Sequence, residues 1–416
     1  MKEKFLFVAL FLFALLAGSA YGAGPQPVVA FTFVCTTSQF QGSGPCPKGG
    51  RPGPLIQGSD GNFYGTAQVS SEGTSQPNGG TVFSLTPAGV FKLLHTFGPG
   101  LNNAYANGNN PGLLVEGPDG KLYGTTLFGG VNNNGVLYQV SKTGLGFQVI
   151  HRFCSKANCT DGASGALVMG TDGNLYGSSF TGGTGNCGQY YQGCGTIFRV
   201  TPSSGAYEVV FNFDPSTSGE FPSGITPTSD GTFYGPAFGQ SGVELFHYSP
   251  ATGVLKTTAL NFPAPNGLPS APATRLTLGP NGNFYGLYHE YGTCCEGLFE
   301  VALDGSHLQL SPEISTLRAG SAEGFLLASD HNFWIADYNG GSGSGAIMTL
   351  SPSQGTVLQT LTPFGSESPG LGAYPGGVIQ ATDGTLWGAD TMGGNAPSGH
   401  FADGIIFKLN LGLPPR

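Results

Sequence analysis

The stretch GPDGKLYGTT at Gly117–Thr126 decides how the whole chain is read. Close variants recur along it: SDGNFYGTA at Ser59–Ala67, TDGNLYGSS at Thr171–Ser179 and SDGTFYGPA at Ser229–Ala237. PNGNFYGLY at Pro280–Tyr288, SDHNFWIAD at Ser329–Asp337 and TDGTLWGAD at Thr382–Asp390 complete a set of seven. The turn residues Asp60, Asp119, Asp172, Asp230, Asn281, Asp330 and Asp383 are spaced 49 to 59 residues apart. A period of that size marks propeller blades or solenoid units rather than independent domains.

Each unit holds four strand-like runs. In the second unit they are LLVE (Leu113–Glu116), LYGTT (Leu122–Thr126), VLYQV (Val136–Val140) and FQVIHRF (Phe147–Phe153). Pro118 presets φ for the first turn, Asp119 can bond its own backbone, and Gly120 supplies a positive φ. No helical periodicity of any length follows the first two dozen residues. Four short strands per repeat, separated by turn chemistry, describe a propeller blade. The ends agree with closure. The seventh unit stops after Ile405–Leu409 without a fourth strand, while VVAFTFVC (Val28–Cys35) precedes the first unit and resembles one. The expectation is an all-β, seven-bladed propeller of four-stranded antiparallel blades. The N-terminal strand completes the last blade, and closure removes exposed sheet edges. The glycine after each strand-two aromatic, such as Gly65, Gly124 and Gly388, is expected to admit an aromatic from the adjacent blade. Ile335 breaks that pattern in the unit where His331 replaces the turn glycine.

The pattern L-x-x-G-x-D-G-x-L-Y-G-T, then G-T-V-F-x-L-T-P and L-H-x-F, resembles the Gloeo/Verruco (GloVer) tandem repeat of exported bacterial proteins. Gly117–Thr126, Gly80–Pro87 with Leu94–Phe97, and Gly195–Pro202 carry the match, and units five and six carry it least well. The resemblance implies export and tandem β repeats, and it implies no established activity. The G-P-D-G-x-L-[YW] turn is also similar to that of streptogramin-lyase-type propellers, which supports the fold more than any chemistry.

The chain opens MKEKFLFVALFLFALLAGSAYGA. Lys2 and Lys4 precede an apolar run over Phe5–Ala17, followed by small residues at a cleavage-like Ala20-Tyr21-Gly22. Residues 1–23 are therefore expected to be a signal peptide and 24–416 one propeller domain, secreted, periplasmic or extracellular, monomeric and without a later membrane span. Charged residues are 9% of the chain and the net charge is −9, with no run of Lys or Arg, which argues against nucleic acid.

The eight cysteines fall in close pairs: Cys35 with Cys46, Cys154 with Cys159, Cys187 with Cys194, and the adjacent Cys294 and Cys295. After a secretion signal the first three pairs are expected to be disulfide staples. The last pair is left open between a strained ring and two thiols. No zinc spacing, calcium ligand set or cofactor motif is present, so neither metal nor cofactor is expected. The turn aspartates are expected to be local caps, and His95 and His151 to be blade packing.

Candidate chemistry sits where only some blades are polar. Three positions after the strand-two aromatic, blades six and seven carry Asp337 and Asp390, and blade five adds His289 and Glu290 one step later. These four are the candidates for acid–base work or a cation. Tyr190, Tyr191, Tyr288 and Tyr291, in variable loops near cysteine pairs, are the candidates for stacking on a sugar or a protein. The expected role is a binding or interaction module for glycan or protein. The alternatives are a lyase or glycan hydrolase and a structural envelope protein.

Overall fold

The computed structural model describes residues 27–35, 46–69, 78–98, 105–188, 192–239, 242–262, 271–272, 275–289, 295–312, 314–318, 322–338, 345–352, 357–363, 372–395 and 401–416. The Asp-Gly turns share one backbone cap, and three of them add a bond from the aromatic of strand two. Asp60 Oδ1 accepts the Asn62 N–H, Asp119 Oδ1 that of Lys121, and Asp172 Oδ1 that of Asn174. The second oxygen takes the phenol of the following strand: Tyr64, Tyr123 and Tyr176 donate at 2.7, 2.9 and 2.9 Å. The aspartates are thus caps that also fix the aromatic of strand two. His331 adopts φ +62° at the turn where the other blades use glycine.

The strands assemble into seven antiparallel sheets. Blade two is typical, running Asn109–Glu116, Leu122–Phe128, Val136–Val140 and Gln148–Arg152 in spatial order. Blade one splits its first strand into Gly50–Pro52 and Ile56–Gln57, and blade five is the most irregular. Its first strand is split into Ala271–Pro272 and Thr277–Leu278, and its outer edge into Gln309–Leu310 and Ile314–Arg318. The N-terminal strand Val28–Cys35 pairs with Phe401–Leu409 and is the outer strand of blade seven, so the ring closes as the ends of the sequence indicate.

The core lies between blades. The second aromatic of each strand-two run packs on the residue that opens the next blade's run, which is Leu122, Leu175 or Leu386 at three joints and an aromatic at the other four. Trp387 stacks on Phe63 at 4.1 Å across the closure, and Tyr176–Phe233, Tyr234–Phe284 and Tyr285–Phe333 follow at 4.5 to 4.9 Å. Burying such a ring contributes about 1.5–3 kcal/mol. A second joint is polar. Glu116 Oε2 accepts the Ser59 N–H, Gln57 Oε1 that of Thr382, and Gln380 Oε1 that of Ser329. The last residue of strand one therefore holds the turn of the preceding blade, also across the closure.

The strand-two glycine works inside its own blade, not between blades as expected. Gly65 sits opposite Phe83, Gly124 opposite Tyr138, Gly177 opposite Phe198, Gly235 opposite Phe246, Gly286 opposite Phe299 and Gly388 opposite Phe407. In each case an added Cβ would stand 2.3 to 2.7 Å from a carbon of the facing ring. The strand-three ring lies flat over the glycine because directly opposed residues share one face of the sheet. Blade six inverts the pair: Ile335 stands opposite Met348, so the bulk moves from one strand to the other.

Candidate functional site

One face of the ring carries the Asp-Gly turns, and the other carries the variable loops between strands two and three. The rim of this loop face is built on a strained backbone. In four blades a residue in the left-handed region followed by proline lies at or just ahead of the beginning of strand one: Arg51-Pro52, Asn110-Pro111, Phe221-Pro222 and Tyr374-Pro375, with φ of +53°, +58°, +52° and +69°. The proline packs on a glycine at the head of the previous blade's third strand. A Cβ on Gly404, Gly80, Gly195 or Gly345 would lie 2.3 to 2.5 Å from the Cδ of Pro52, Pro111, Pro222 or Pro375. Docking this joint holds the preceding residue in a conformation that costs a non-glycine side chain about 1–3 kcal/mol.

Two of these rim side chains are aromatic, and each is stacked. Phe221 lies on Phe180 of blade three (4.9 Å, 19°), and Tyr374 on Tyr338 of blade six (4.5 Å, 23°). Phe180 and Tyr338 occupy the same position, four residues after the strand-two aromatic. Phe180 is 45% exposed, with Leu127, Phe128 and Val131 also exposed on blade two. The sequence carries a sign of this rim, an aromatic before proline at a fixed distance ahead of the turn Asp in units four and seven.

Asp337 and Asp390 are both 0% exposed. Asp337 shares its strand face with Phe333, which packs on Tyr285 of blade five, so it looks into the joint between blades five and six. Asp390 stands opposite Ile405, which clusters with Trp334 and Ile347 of blade six, so it looks into the joint between six and seven. Its carboxyl rests against Gly372, where an added Cβ would lie 2.6 Å from Oδ2. Among the described residues neither Asp390 oxygen has a hydrogen-bond partner. Burial pushes this carboxyl up to about 8. As oriented, neither acid presents an oxygen to solvent.

His289 pairs in the sheet with Ala271 and Glu296. Its side chain lies outside the described residues, as do Glu290, Tyr190, Tyr191, Tyr291 and Cys294 and the side chain of Cys295. Tyr288 is buried and donates its hydroxyl to the Ser311 carbonyl at 2.7 Å, a packing role.

The first three cysteine pairs are bonded. Two of them lie beside a carboxylate, Asp403 next to Cys35–Cys46 and Glu220 next to Cys187–Cys194. A disulfide offers no thiolate, so each group reduces to one carboxylate and is a poor metal site. The staple Cys154–Cys159 is organised by Asp161, which is 1% exposed. Asp161 accepts the Ser155 N–H and hydroxyl at 2.9 and 2.5 Å and the Lys156 N–H at 3.2 Å. Burial alone would raise its pKa, but these bonds outweigh it and hold it below the usual carboxylate value. His151 Nε2 approaches it at 3.3 Å while its ring stacks on Tyr207 at 3.7 Å. His95 likewise stacks on Phe147 at 3.5 Å. Both histidines bridge strand four of one blade to strand four of the next.

A cavity of about 350 Å³ is lined by the first strands of blades one, two, four, five and seven, and so lies at the ring axis. Its walls are mostly apolar, with Leu55, Ile56, Leu113, Val378 and Ile379 among them. The polar exceptions are Thr226, Thr277 and the one charged residue, Arg275, whose guanidinium donates to the Ile225 carbonyl at 3.4 Å.

A sequence profile of the Gloeobacter/Verrucomicrobia repeat matches residues 51–298, more than half of the chain. No curated protein matches the sequence. Several solved structures share the fold. The extracellular domain of a hybrid two-component system from B. thetaiotaomicron superimposes with TM-score 0.53 at 13% identity, over 91% of this chain and 42% of that one. A fungal alcohol oxidase of the AA5 family, solved with copper, gives TM-score 0.53 at 11% identity over 89% and 77% of the two chains. A prolyl endopeptidase gives 0.50 at 13% identity over 86% and 50%. This chain thus spans half or less of the length of two of these three. At such identities the likeness is one of fold, which hosts binding proteins and enzymes alike.

Proposed function

We propose a binding role for this chain, which belongs to the Gloeobacter/Verrucomicrobia repeat family: an exported module that engages a glycan or a protein through its loop face. The observation that carries the reading is the rim. Phe221 and Tyr374 are held in the left-handed region at positions where Gly or Asn would be cheaper, and each is pre-stacked with a neighbour. Rigid, pre-ordered aromatics bind at low entropic cost, and strain of this kind persists where a function uses it. Three disulfides suit an oxidising compartment, and no helix among the described residues is long and apolar enough to cross a membrane. Residues 1–23 would be the export signal and 24–416 the working domain, a monomer that needs no cofactor. The acid–base alternative has one observation in its favour, the unpartnered carboxyl of Asp390. Against it stands the complete burial of that group and of Asp337.

The test replaces Tyr374 and Phe221 by Asn, the residue blade two already uses at Asn110. Melting temperature is followed while cello-, xylo- and chito-oligosaccharides are added. The expected result is a ligand-induced rise in the parent that disappears in the double variant, with little change in the unliganded melt. An equal rise in both proteins would sink the rim as the binding surface.

A further inference from the structure

We propose that the axial channel is a second, separate ligand site, and that Arg275 makes it selective for a carboxylate-bearing molecule the size of one sugar or a small organic acid. The argument begins with equivalent positions. Counting from the strand-two register, Arg275 stands where the other blades carry Pro54, Leu113, Ala166, Gly224, Gly324 and Gly377. Six of seven first strands therefore place a small or apolar residue at this level, and the seventh places a cation. Its neighbour Gly224 leaves the room the side chain occupies, since an added Cβ would lie 3.1 Å from Arg275 Cγ.

Among the described residues no carboxylate pairs with Arg275, and its one hydrogen bond there is the 3.4 Å contact to a carbonyl. Burial presses its pKa down. A guanidinium held in an apolar channel without an anion is unfavourable unless an anion arrives. Carboxylate is the anion it fits best, because the guanidinium fork matches two oxygens in a plane. The net charge of −9 repels anions at long range, so affinity must come from this local contact and from the apolar wall. The volume of about 350 Å³ admits one monosaccharide or short acid, not a chain. The site does not depend on the rim, although an acidic glycan could engage both.

The experiment is calorimetric titration of the mature protein with glucuronate, glucose and hexanoate, repeated with Arg275→Gln. Glucose is the neutral counterpart of glucuronate, and hexanoate carries the carboxylate on an apolar body. Binding of either acid, no binding of glucose, and a loss of about ten- to hundredfold in the variant are expected. Glucuronate alone would mark a sugar-acid site, and hexanoate alone an organic-acid site. The unliganded variant should melt no lower than the parent, because it loses a half-buried cation that no described carboxylate pairs with. If that variant does not fold, raising the chloride concentration with the parent protein serves instead, since a competing anion must weaken the binding. Failure of both acids to bind, equal binding by Arg275→Gln, or insensitivity to chloride overturns the proposal. Neutral oligosaccharides that still bind in such a case would leave the loop-face reading intact.

Discussion

Gly388→Ala adds a single methyl group to blade seven, and the structure sets its cost. The new Cβ would lie 2.3 Å from Phe407 Cζ and 2.9 Å from both Cε atoms. Carbon atoms in contact prefer about 3.5–4.0 Å, so the ring must retreat by more than an ångström. It has little room, because Phe407 is fully buried among Trp334, Ile347, Leu386 and Leu409. Overpacking of this kind costs about 1–3 kcal/mol, and the gain from a less flexible unfolded chain returns about 0.4–1. A net loss of about 1–2 kcal/mol is expected. Blade six shows the remedy in its Ile335–Met348 pair. Phe407→Met alone should cost about 1 kcal/mol, yet Gly388→Ala with Phe407→Met should be no less stable than Phe407→Met by itself. The coupling is then about 1–2 kcal/mol in favour of the pair. Urea unfolding followed by tryptophan fluorescence measures it, since Trp387 adjoins the site and Trp334 lies in the same cluster. The reasoning fails if the two costs add to within about 0.5 kcal/mol, the tolerance for independent sites, or if Gly388→Ala alone matches the parent.

Two further expectations concern the acid and the closure. Asp390, pushed up to about 8 by burial, keeps its proton in the folded state from near pH 4 to near pH 8, whereas the unfolded chain releases it near 3.8. The folded state binds the extra proton in that window, so this group's contribution is full below pH 4 and declines by up to about 1.4 kcal/mol per pH unit up to pH 8. Asp390→Asn should flatten that decline and melt several degrees above the parent at pH 8 and level with it at pH 4.5; parallel melting curves would count against it. Phe33, fully buried in the closing strand and 5.3 Å from Phe83 of blade one, should cost about 3–5 kcal/mol when truncated to Ala, and a loss under 1 kcal/mol would mean the strand contributes little to closure.

The blade count was readable because turns and strands leave strictly local signals. An Asp that caps its own turn and a tyrosine that reaches back to it lie within five residues, as Asp119 and Tyr123 do. Closure was readable for another reason: a missing strand at one end and a spare one at the other fit together. The partner of the strand-two glycine was not readable from its own unit, because a glycine says that something comes close without saying from where. The joint change to Ile335 and Met348 in blade six is the trace that could have identified it. Asp337 and Asp390 were correctly seen as equivalent, but whether an equivalent position faces solvent or a blade joint depends on packing. Arg275 escaped notice because its meaning depends on six other first strands being apolar at the same level.

The seam in blade seven also governs the order of assembly. Cys35 and Asp403, neighbours in the folded ring, are 368 residues apart in the chain. Whatever is made first here is seated last: Val28–Cys35 emerges before any blade exists, and its partner strand only after six are complete. Until then the ring is an open arc with an unpaired edge at blade seven, and the apolar side of the early strand has nowhere to pack. Pairings this distant are slow to find. The staple from Cys35 to Cys46 spans only 11 residues, so it can form at once and shorten the loose end that must wait. The ring is locked by a strand that precedes all seven turns, so a copy that stops before Phe401–Leu409 is an incomplete ring.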